Sequence, residues 1–269
     1  MINVMMRILK KIWNRVSGIE PRSLWNELTN TQNELTNTQN ELTNTHNQRN
    51  KRIHPYVLEA LNLVTPEMLN RFQIPDEIDP DSSFFTEFGS DKNTRHSYAE
   101  VYFNLLKGKS NPRILEIGVG SMNDFPYAGL IAGGGIQAFR KKFPKSEIIG
   151  LDIDPESIEI IRNLDFKGFV VDQTSEGSLM EVKGKLSNIG KFDLIIDDGF
   201  HDPHANVRTL RSLFDLLAPG GTYIIEDVHE TLIDFWKVIS SYLPGQMGVL
   251  DMRRLRPGVD DNILVLFKK

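Results

Sequence analysis

The chain has 269 residues, 40% of them hydrophobic, which is enough for one large domain with appendages or for two small domains. Its formal net charge of −5 argues against general nucleic-acid binding, because nucleic-acid-binding proteins usually present a basic surface. The sequence contains no cysteine, which excludes disulfides and thiolate metal sites and fits a reducing compartment. No uninterrupted apolar run approaches the ~18 residues of a membrane span, so we predict a cytoplasmic location.

A basic amphipathic helix is predicted within residues 1–25. Over residues 1–16 the apolar side chains recur at helical spacing on one face, and every charged side chain is basic. We favour docking of this helix on its own protein or on a partner subunit. The alternative is peripheral contact with a membrane surface, which basic amphipathic helices also make. A signal peptide is not expected, because charges interrupt the apolar segment and no small-residue cleavage site follows.

A nearly perfect seven-residue repeat follows in residues 26–46, within a predicted stalk or linker at 26–50. Leu28, Leu35 and Leu42 recur every seven positions, which is the period of a coiled coil. Only one of the two seam positions is apolar, however, and Thr and Asn are poor helix formers. Two interpretations therefore stay open: a weak helical stalk that forms a homo-oligomer, and a flexible spacer.

Residues 51–109 are predicted to form a helical cap or lid. Four prolines between residues 55 and 80 favour short helices and turns. A polar stretch at 88–98 precedes an amphipathic helix at 98–106. We interpret the polar stretch as a capping loop or as a lid over a polar ligand.

From residue 110 to residue 269 strands and helices alternate, which is typical of a doubly wound α/β sheet. Two further strands near the end of the chain are predicted to form an antiparallel hairpin at the sheet edge. The predicted strands are residues 114–117, 147–152, 168–171, 194–196, 222–225, 246–253 and 262–267, and the predicted helices are 134–142, 157–164, a segment ending near 189, 205–217 and 231–243.

Acidic side chains follow two of these strands. Asp197 and Asp198 end the strand at 194–196, and Glu226 and Asp227 end the strand at 222–225. If the two strands are neighbours in a parallel sheet, the acids converge at the edge where α/β proteins bind ligands. We predict that they hold a cation and that His201 moves a proton beside it. Successive strand residues point to opposite faces, so we choose Asp198 as the ligand and keep Asp197 in reserve.

A glycine turn follows the first strand of the domain. Glu116, Gly118 and Gly120 form a Glu-x-Gly-x-Gly pattern that lets backbone approach a ligand closely. A dinucleotide fingerprint would need a third glycine at position 123, where Asn123 stands, which disfavours a dehydrogenase. Asp152 ends the second strand, where an acid binds ribose hydroxyls.

The glycine turn, Asp152, Asp172 and the Pro-Gly-Gly at 219–221 together resemble a class I S-adenosylmethionine-dependent methyltransferase. Further motifs narrow the resemblance to the metal-dependent, mycinamicin-type sugar O-methyltransferases of macrolide biosynthesis. These motifs are Phe88–Lys92 with His96 and Tyr98, Gly133–Gly135, Asp172-Gln173, Asp197-Asp198-Gly199-x-His201 and Glu226-Asp227.

The resemblance implies a mostly parallel, seven-stranded, Rossmann-like sheet whose last strand is antiparallel. It implies S-adenosylmethionine as cofactor and a divalent metal, Mg²⁺ or Mn²⁺. The implied roles are cofactor binding by Glu116, Gly118, Gly120, Asp152, Asp172 and Gln173, metal binding by Asp198, Glu226 and Asp227, and general-base catalysis by His201. The implied reaction is O-methylation of a hydroxyl on a sugar or glycoconjugate.

The chemistry suits these residue types. A free alcohol loses its proton poorly near neutral pH, but a bound divalent cation lowers the pKa of a hydroxyl. A histidine, with an ordinary pKa of about 6.5, is suited to take that proton. An all-carboxylate ligand set favours a hard cation over zinc.

Two departures from the family pattern bear on the substrate. Phe200 stands where the family commonly has serine, and the loop at 121–130 differs from the expected one. A cation that binds adjacent hydroxyls would suit a catechol equally, so one alternative acceptor is a catechol-like or lipid-linked molecule. A second alternative is a non-catalytic, membrane-associated scaffold that assembles through residues 1–46. We interpret His204 as a helix-start or packing residue, and His96 and His229 as weaker candidates for substrate contact.

Overall fold

The computed structural model describes residues 80–120 and 131–269. The predictions for the basic helix, the heptad repeat, the first part of the cap and the loop at 121–130 lie outside the described residues. Within the described part of the chain, no helix is long and apolar enough to cross a membrane.

A seven-stranded sheet forms the centre of the described part of the chain. The strands are β1 (Arg113–Ile117), β2 (Glu147–Asp152), β3 (Lys167–Val170), β4 (Phe192–Asp197), β5 (Leu217–Ile225), β6 (Gln246–Asp251) and β7 (Ile263–Lys268). Their order is β3-β2-β1-β4-β5-β7-β6. The first five strands are parallel, and β7 runs antiparallel to both β5 and β6. The predicted mostly parallel, Rossmann-like sheet with an antiparallel last strand is confirmed.

Helices cover both faces of this sheet. They are α1 (Ser83–Glu87), α2 (Ala99–Leu105), α3 (Gly134–Lys142), α4 (Pro155–Asn163), α5 (Glu176–Ser187), α6 (Pro203–Leu213) and α7 (Ile233–Ile239). Two predicted helices differ most from the structure at their C-terminal ends. The helix predicted at 205–217 ends at Leu213, and Leu217 already pairs with Phe192 as the start of β5. The helix predicted at 231–243 divides into α7 and a 3-10 turn on each side of it.

The sheet separates two hydrophobic cores, and β4 contributes to both. Leu194 and Ile196 are buried in the core on the side of α2 and α3. Ile195 is buried in the core on the side of α5 and α6. This alternation is the two-residue period of a strand. The same alternation continues at the end of β4, where the Asp197 side chain is buried and the Asp198 side chain reaches the cavity.

An aromatic cluster attaches the described part of the cap to the sheet. The rings of Phe85 on α1 and Phe139 on α3 meet edge to face with their centroids 5.2 Å apart, and Tyr102 on α2 packs against both. All three side chains are fully buried. The loop between α1 and α2 is thereby held against the carboxyl ends of the strands.

Candidate active site

A cavity of about 770 Å³ opens at the carboxyl ends of the parallel strands. It falls within the volume range of ligand pockets, and it lies where open α/β sheets bind ligands. The predicted site residues that line it are Glu116, Gly118, Gly120, Asp152, Asp172, Gln173, Asp198, His201 and Asp227. Glu226, the remaining predicted residue, is buried and is not part of the cavity lining.

The glycine turn after β1 brings the ends of β1 and β4 into direct contact. Gly118 has a φ of +81°, and a Cβ atom there would lie 2.0 Å from the carbonyl oxygen of Asp198. Gly135, at the start of α3, also has little space for a side chain, because a Cβ atom would lie 2.4 Å from Glu116 Oε1. Side chains at either position would therefore displace an acid of the site.

Glu116 offers a buried acceptor to the cavity. Its side chain is 3% exposed, its Oε1 lies 3.4 Å from Lys92 Nζ, and its Oε2 has no hydrogen-bond partner among the described residues. Burial, together with the charge of Asp198, raises the pKa of Glu116 to about 7. A buried acceptor of this kind is costly unless a ligand donates to it, and the amino group of an amino-acid-like cofactor fits that requirement.

Two further acids lie on the cofactor side of the cavity. Asp152 accepts the backbone N–H groups of Val119 and Asp154, each at 2.9 Å, which fixes its carboxylate at the end of β2. Burial raises the pKa of Asp152. Asp172 accepts both the hydroxyl and the backbone N–H of Thr174, and these hydrogen bonds lower its pKa. Each carboxylate keeps lone pairs for a donor such as a ribose hydroxyl or an amino group.

Gln173 is tied into the protein itself. Its Nε2 donates to Asp197 Oδ1 at 2.7 Å and to Thr209 Oγ1 at 3.1 Å, and its Oε1 accepts the backbone N–H of Phe200 at 2.8 Å. These bonds use the side-chain amide to support the turn after β4. Its predicted contact with the cofactor stays a prediction.

The two adjacent acids at the end of β4 have different surroundings. Asp197 is fully buried and accepts hydrogen bonds from Tyr223 and Gln173, and burial raises its pKa. The Asp198 side chain is 21% exposed and lines the cavity. Of the two, therefore, Asp198 can reach a ligand in the cavity.

The turn that follows presents His201 to the same space. His201 has a φ of +54°, an uncommon value for a residue with a side chain. Its Nε2 lies 3.8 Å from Asp198 Oδ1. Asp198, His201 and Asp227 each offer a ligand atom within 4.8 Å of the others. Phe200, next to His201, is 63% exposed and lines the cavity.

Asp227, on the loop after β5, is held in place by the cap. Its φ is +52°, and its Oδ1 accepts the Tyr98 hydroxyl at 2.9 Å. The His96 ring, stacked on Tyr98, brings its Nε2 to 3.4 Å from Asp227 and to 3.3 Å from Asp261. Burial, with the charge of Asp198, raises the pKa of Asp227 to about 6.

Glu226 has protein donors on both carboxylate oxygens. Its Oε1 accepts the Tyr102 hydroxyl, and its Oε2 lies 2.8 Å from Lys92 Nζ. Burial and the charge of Asp198 raise its pKa well above the ordinary value. The Lys92 ammonium also contacts Asp198 Oδ2 at 2.5 Å. Burial alone would lower the pKa of Lys92, but Asp198, Glu226 and Glu116 outweigh it and raise that pKa.

The donor set fits a divalent cation. Asp198 and Asp227 supply carboxylate oxygens with His201 beside them, and this set of oxygens favours a hard ion such as Mg²⁺ or Mn²⁺. Glu226 lies one residue away from Asp227, but both of its oxygens already accept hydrogen bonds or ion pairs.

The two remaining candidate histidines lie outside this cluster. His204 is exposed at the start of α6, and its ring meets that of Phe235 edge to face at 6.3 Å. His229 accepts the backbone N–H of Thr231 and begins a 3-10 turn.

Three side chains from the cap, Lys92, Tyr98 and Tyr102, touch the predicted acids, and the residue-by-residue interpretation gave them no role. Apart from the contact between Lys92 and Glu116, their partners are 106 to 134 residues away in the sequence, so no local spacing could indicate these contacts. The sequence offered one indication of these contacts. Lys92 and His96 lie in a polar stretch directly before an amphipathic helix.

Comparisons with known proteins relate the chain to methyltransferases. Residues 132–251 match the family model described as a methyltransferase domain. The 8-demethyl-8-alpha-L-rhamnosyl tetracenomycin-C 2'-O-methyltransferase of Streptomyces olivaceus is 32% identical over 166 residues, 61% of this chain and 39% of that protein. The mycinamicin VI 2''-O-methyltransferase of Micromonospora griseorubida is 32% identical over 182 residues, 66% of this chain and 39% of that protein. The chain thus matches about two fifths of the length of these relatives.

A solved structure shares the fold. The MycE methyltransferase of the mycinamycin biosynthetic pathway, in complex with Mg and SAH, superposes with a TM-score of 0.54 at 22% identity. The superposition covers 73% of this chain and 55% of that one. The chain therefore has the Rossmann-like fold of this structure, its residues 132–251 match a methyltransferase domain, and its named sequence relatives are sugar O-methyltransferases.

Proposed function

We propose that the protein transfers a methyl group from S-adenosylmethionine to a hydroxyl of a sugar or glycoconjugate, with a divalent cation and with His201 as general base. One observation carries the proposal: Asp198, His201 and Asp227 lie within 4.8 Å of one another in the cavity that also contains the glycine turn and Asp152. Donor-binding and acceptor-activating groups thus share one cavity.

The cofactor side is assigned from chemistry. Asp152 would accept the ribose hydroxyls, and the unpartnered oxygen of Glu116 would accept the amino group of the methionine part. Gly118 and Gly120 keep the turn free of side chains where the cofactor approaches, and Asp172 lies at the open side of the cavity. Bound there, S-adenosylmethionine supplies a methyl group on a sulfonium.

The acceptor side is assigned to the acids after β4 and β5. Asp198 and Asp227 would hold the cation, with Glu226 as the third predicted ligand from the neighbouring position. A bound cation supplies Lewis acidity that lowers the pKa of a coordinated hydroxyl. His201 would take the hydroxyl proton on its Nε2, which lies 3.8 Å from Asp198 Oδ1 at the same side of the cavity.

The acceptor class rests on the relatives. Their names describe methylation of a rhamnosyl tetracenomycin at 2' and of mycinamicin VI at 2''. We therefore propose a small glycosylated natural product as the acceptor. The exposed Phe200 ring at the cavity wall would offer the acceptor an apolar contact surface.

Calorimetric titration of the protein with S-adenosylmethionine tests the proposal. We expect saturable binding, weakened in Asp152→Asn and unchanged in Asp165→Asn, which alters an acid outside the cavity. Absence of measurable affinity at millimolar ligand would overturn it. Product masses should then be compared for methyl α-L-rhamnoside and a simple catechol. Methylation of the catechol alone would support the methyltransferase activity but overturn the proposal that the acceptor is a sugar.

Metal affinity should depend on pH through Asp227. Burial raises the pKa of this carboxyl from 3.8 to about 6, so below that pH a proton competes with the cation. We expect the Mn²⁺ association constant to fall about tenfold per pH unit below pH 6 and to level off above about pH 7. Titration of the protein with Mn²⁺, followed by electron paramagnetic resonance between pH 5 and pH 8, measures this. A constant affinity between pH 5 and pH 7 would contradict it.

The same pKa has a consequence for the metal-free protein. Between the ordinary pKa of 3.8 and about 6, the folded state binds more protons at Asp227 than the unfolded state does. The contribution of Asp227 to stability is therefore present at low pH and is lost as the pH rises through this window.

A further inference from the structure

Lys92 is a buried cation at the junction of three strands. It lies in the 3-10 turn Asp91–Asn93 of the cap and is 2% exposed. Its Nζ contacts Asp198 at 2.5 Å after β4, Glu226 at 2.8 Å after β5, and Glu116 at 3.4 Å on β1.

The backbone of Lys92 is fixed as firmly as its side chain. Its N–H donates to Ser90 Oγ, and its carbonyl oxygen accepts the N–H of Tyr98 at 2.9 Å. An ammonium group has three N–H donors, and each has a carboxylate in reach. The cap therefore delivers one permanent positive charge to a defined point among the acids.

The Lys92 ammonium group pairs with carboxylate oxygens that would otherwise be available to bind the divalent cation. Asp198 Oδ2 is taken by Lys92, which leaves Asp198 Oδ1 toward His201. Glu226 Oε2 is taken by Lys92 and its Oε1 by Tyr102. The ammonium also offsets one of the four negative charges that Glu116, Asp198, Glu226 and Asp227 carry when ionised. Both effects weaken the attraction for a divalent ion.

We propose that Lys92 is a positioning residue that joins the cofactor acid Glu116 to the metal acids Asp198 and Glu226 and holds the divalent-ion affinity of the site down. The inference rests on the proposed function. It identifies a cation supplied by the chain itself as the group that limits how tightly the exchangeable metal is bound.

The variant Lys92→Met tests this with a gain of binding. Titration with Mn²⁺ at pH 8, followed by electron paramagnetic resonance, should give a dissociation constant about tenfold or more below that of the wild type. Damage to the fold would weaken binding, so a tighter constant distinguishes positioning from a structural role. Lys167→Met, which removes an exposed lysine paired with Glu147, is the matched control and should bind Mn²⁺ as the wild type does.

The outcomes separate this inference from the proposed function. Equal or weaker Mn²⁺ binding by folded Lys92→Met, with normal binding by the wild type, overturns the role of Lys92 alone. No Mn²⁺ binding by the wild type overturns the metal-assisted mechanism and, with it, this inference. Binding of S-adenosylmethionine is measured separately and decides the methyltransferase assignment.

A measurement on the wild type covers the case in which Lys92→Met does not fold. Lys92 is the one buried lysine in the part of the chain that the structure describes, so its ammonium should exchange slowly with water. In protein labelled with ¹⁵N at lysine side chains, we expect a protected ammonium signal that shifts when Mg²⁺ is added. A protected signal that does not respond to saturating Mg²⁺ would overturn the inference.

Discussion

Replacement of His201 by alanine is expected to lower kcat by roughly 10²- to 10⁴-fold, the usual contribution of general acid–base catalysis. His201 reaches the cavity from the turn after β4, and its Nε2 lies 3.8 Å from the Asp198 carboxylate. The Asp227 carboxylate also has an oxygen within 4.8 Å of the His201 ring. No other histidine of the described chain lines the cavity. Loss of the ring removes the proton acceptor and leaves the acids and the glycine turn in place.

The measurement is methyl transfer to whichever acceptor the wild type methylates, in single turnover and across pH 5 to pH 9. At each pH the variant should transfer methyl groups more slowly than the wild type, and the affinities for S-adenosylmethionine and Mn²⁺ should stay unchanged. His204→Ala is the control, because His204 is an exposed histidine three residues away that packs beside Phe235. Collapse of Mn²⁺ binding in His201→Ala would instead make His201 a metal ligand.

Much of the sheet could be predicted because its strands carry local signals. Residues 147–152 are mostly apolar, begin and end with an acid, and form β2 with those same bounds. The helix at 134–142 likewise has the predicted bounds, because a left-handed glycine, Gly133, marks its start. The predicted bounds are wrong where the helical pattern of the sequence competes with strand pairing in the folded protein. Leu217 extends the apolar pattern of a helix, yet it pairs with Phe192 in the sheet.

Site residues at strand ends could be predicted for the same reason, since a parallel sheet brings its carboxyl ends to one edge. The side chains that contact these acids from the cap could not be predicted. Lys92 and Tyr102 reach Glu226 only because α1, α2 and α3 pack through buried aromatic rings, and that packing has no signature in sequence spacing. The family resemblance implies a cofactor contact for Gln173, but nothing in the sequence indicates that its amide also bonds to Asp197 and to the backbone of Phe200.

The second large effect concerns the adjacent acids Asp197 and Asp198. We expect Asp198→Asn to weaken Mn²⁺ binding by roughly 100-fold or more, because even residues that only orient metal ligands are worth 10- to 100-fold. The amide keeps the shape of the carboxylate but removes its charge and one acceptor oxygen. Methyl transfer should fall with it, while binding of S-adenosylmethionine is retained.

Asp197→Asn makes the same chemical change one residue earlier and should act on stability instead. Asp197 is fully buried and accepts from Tyr223 and Gln173, and an amide can satisfy only one of these two donors. An unsatisfied buried donor costs about 1–3 kcal/mol, which urea denaturation would detect, while Mn²⁺ affinity stays at the wild-type value. The strand alternation at the end of β4 thus yields opposite expectations for two neighbouring aspartates. If Asp197→Asn abolished metal binding and Asp198→Asn did not, the ligand assignment would have to be exchanged.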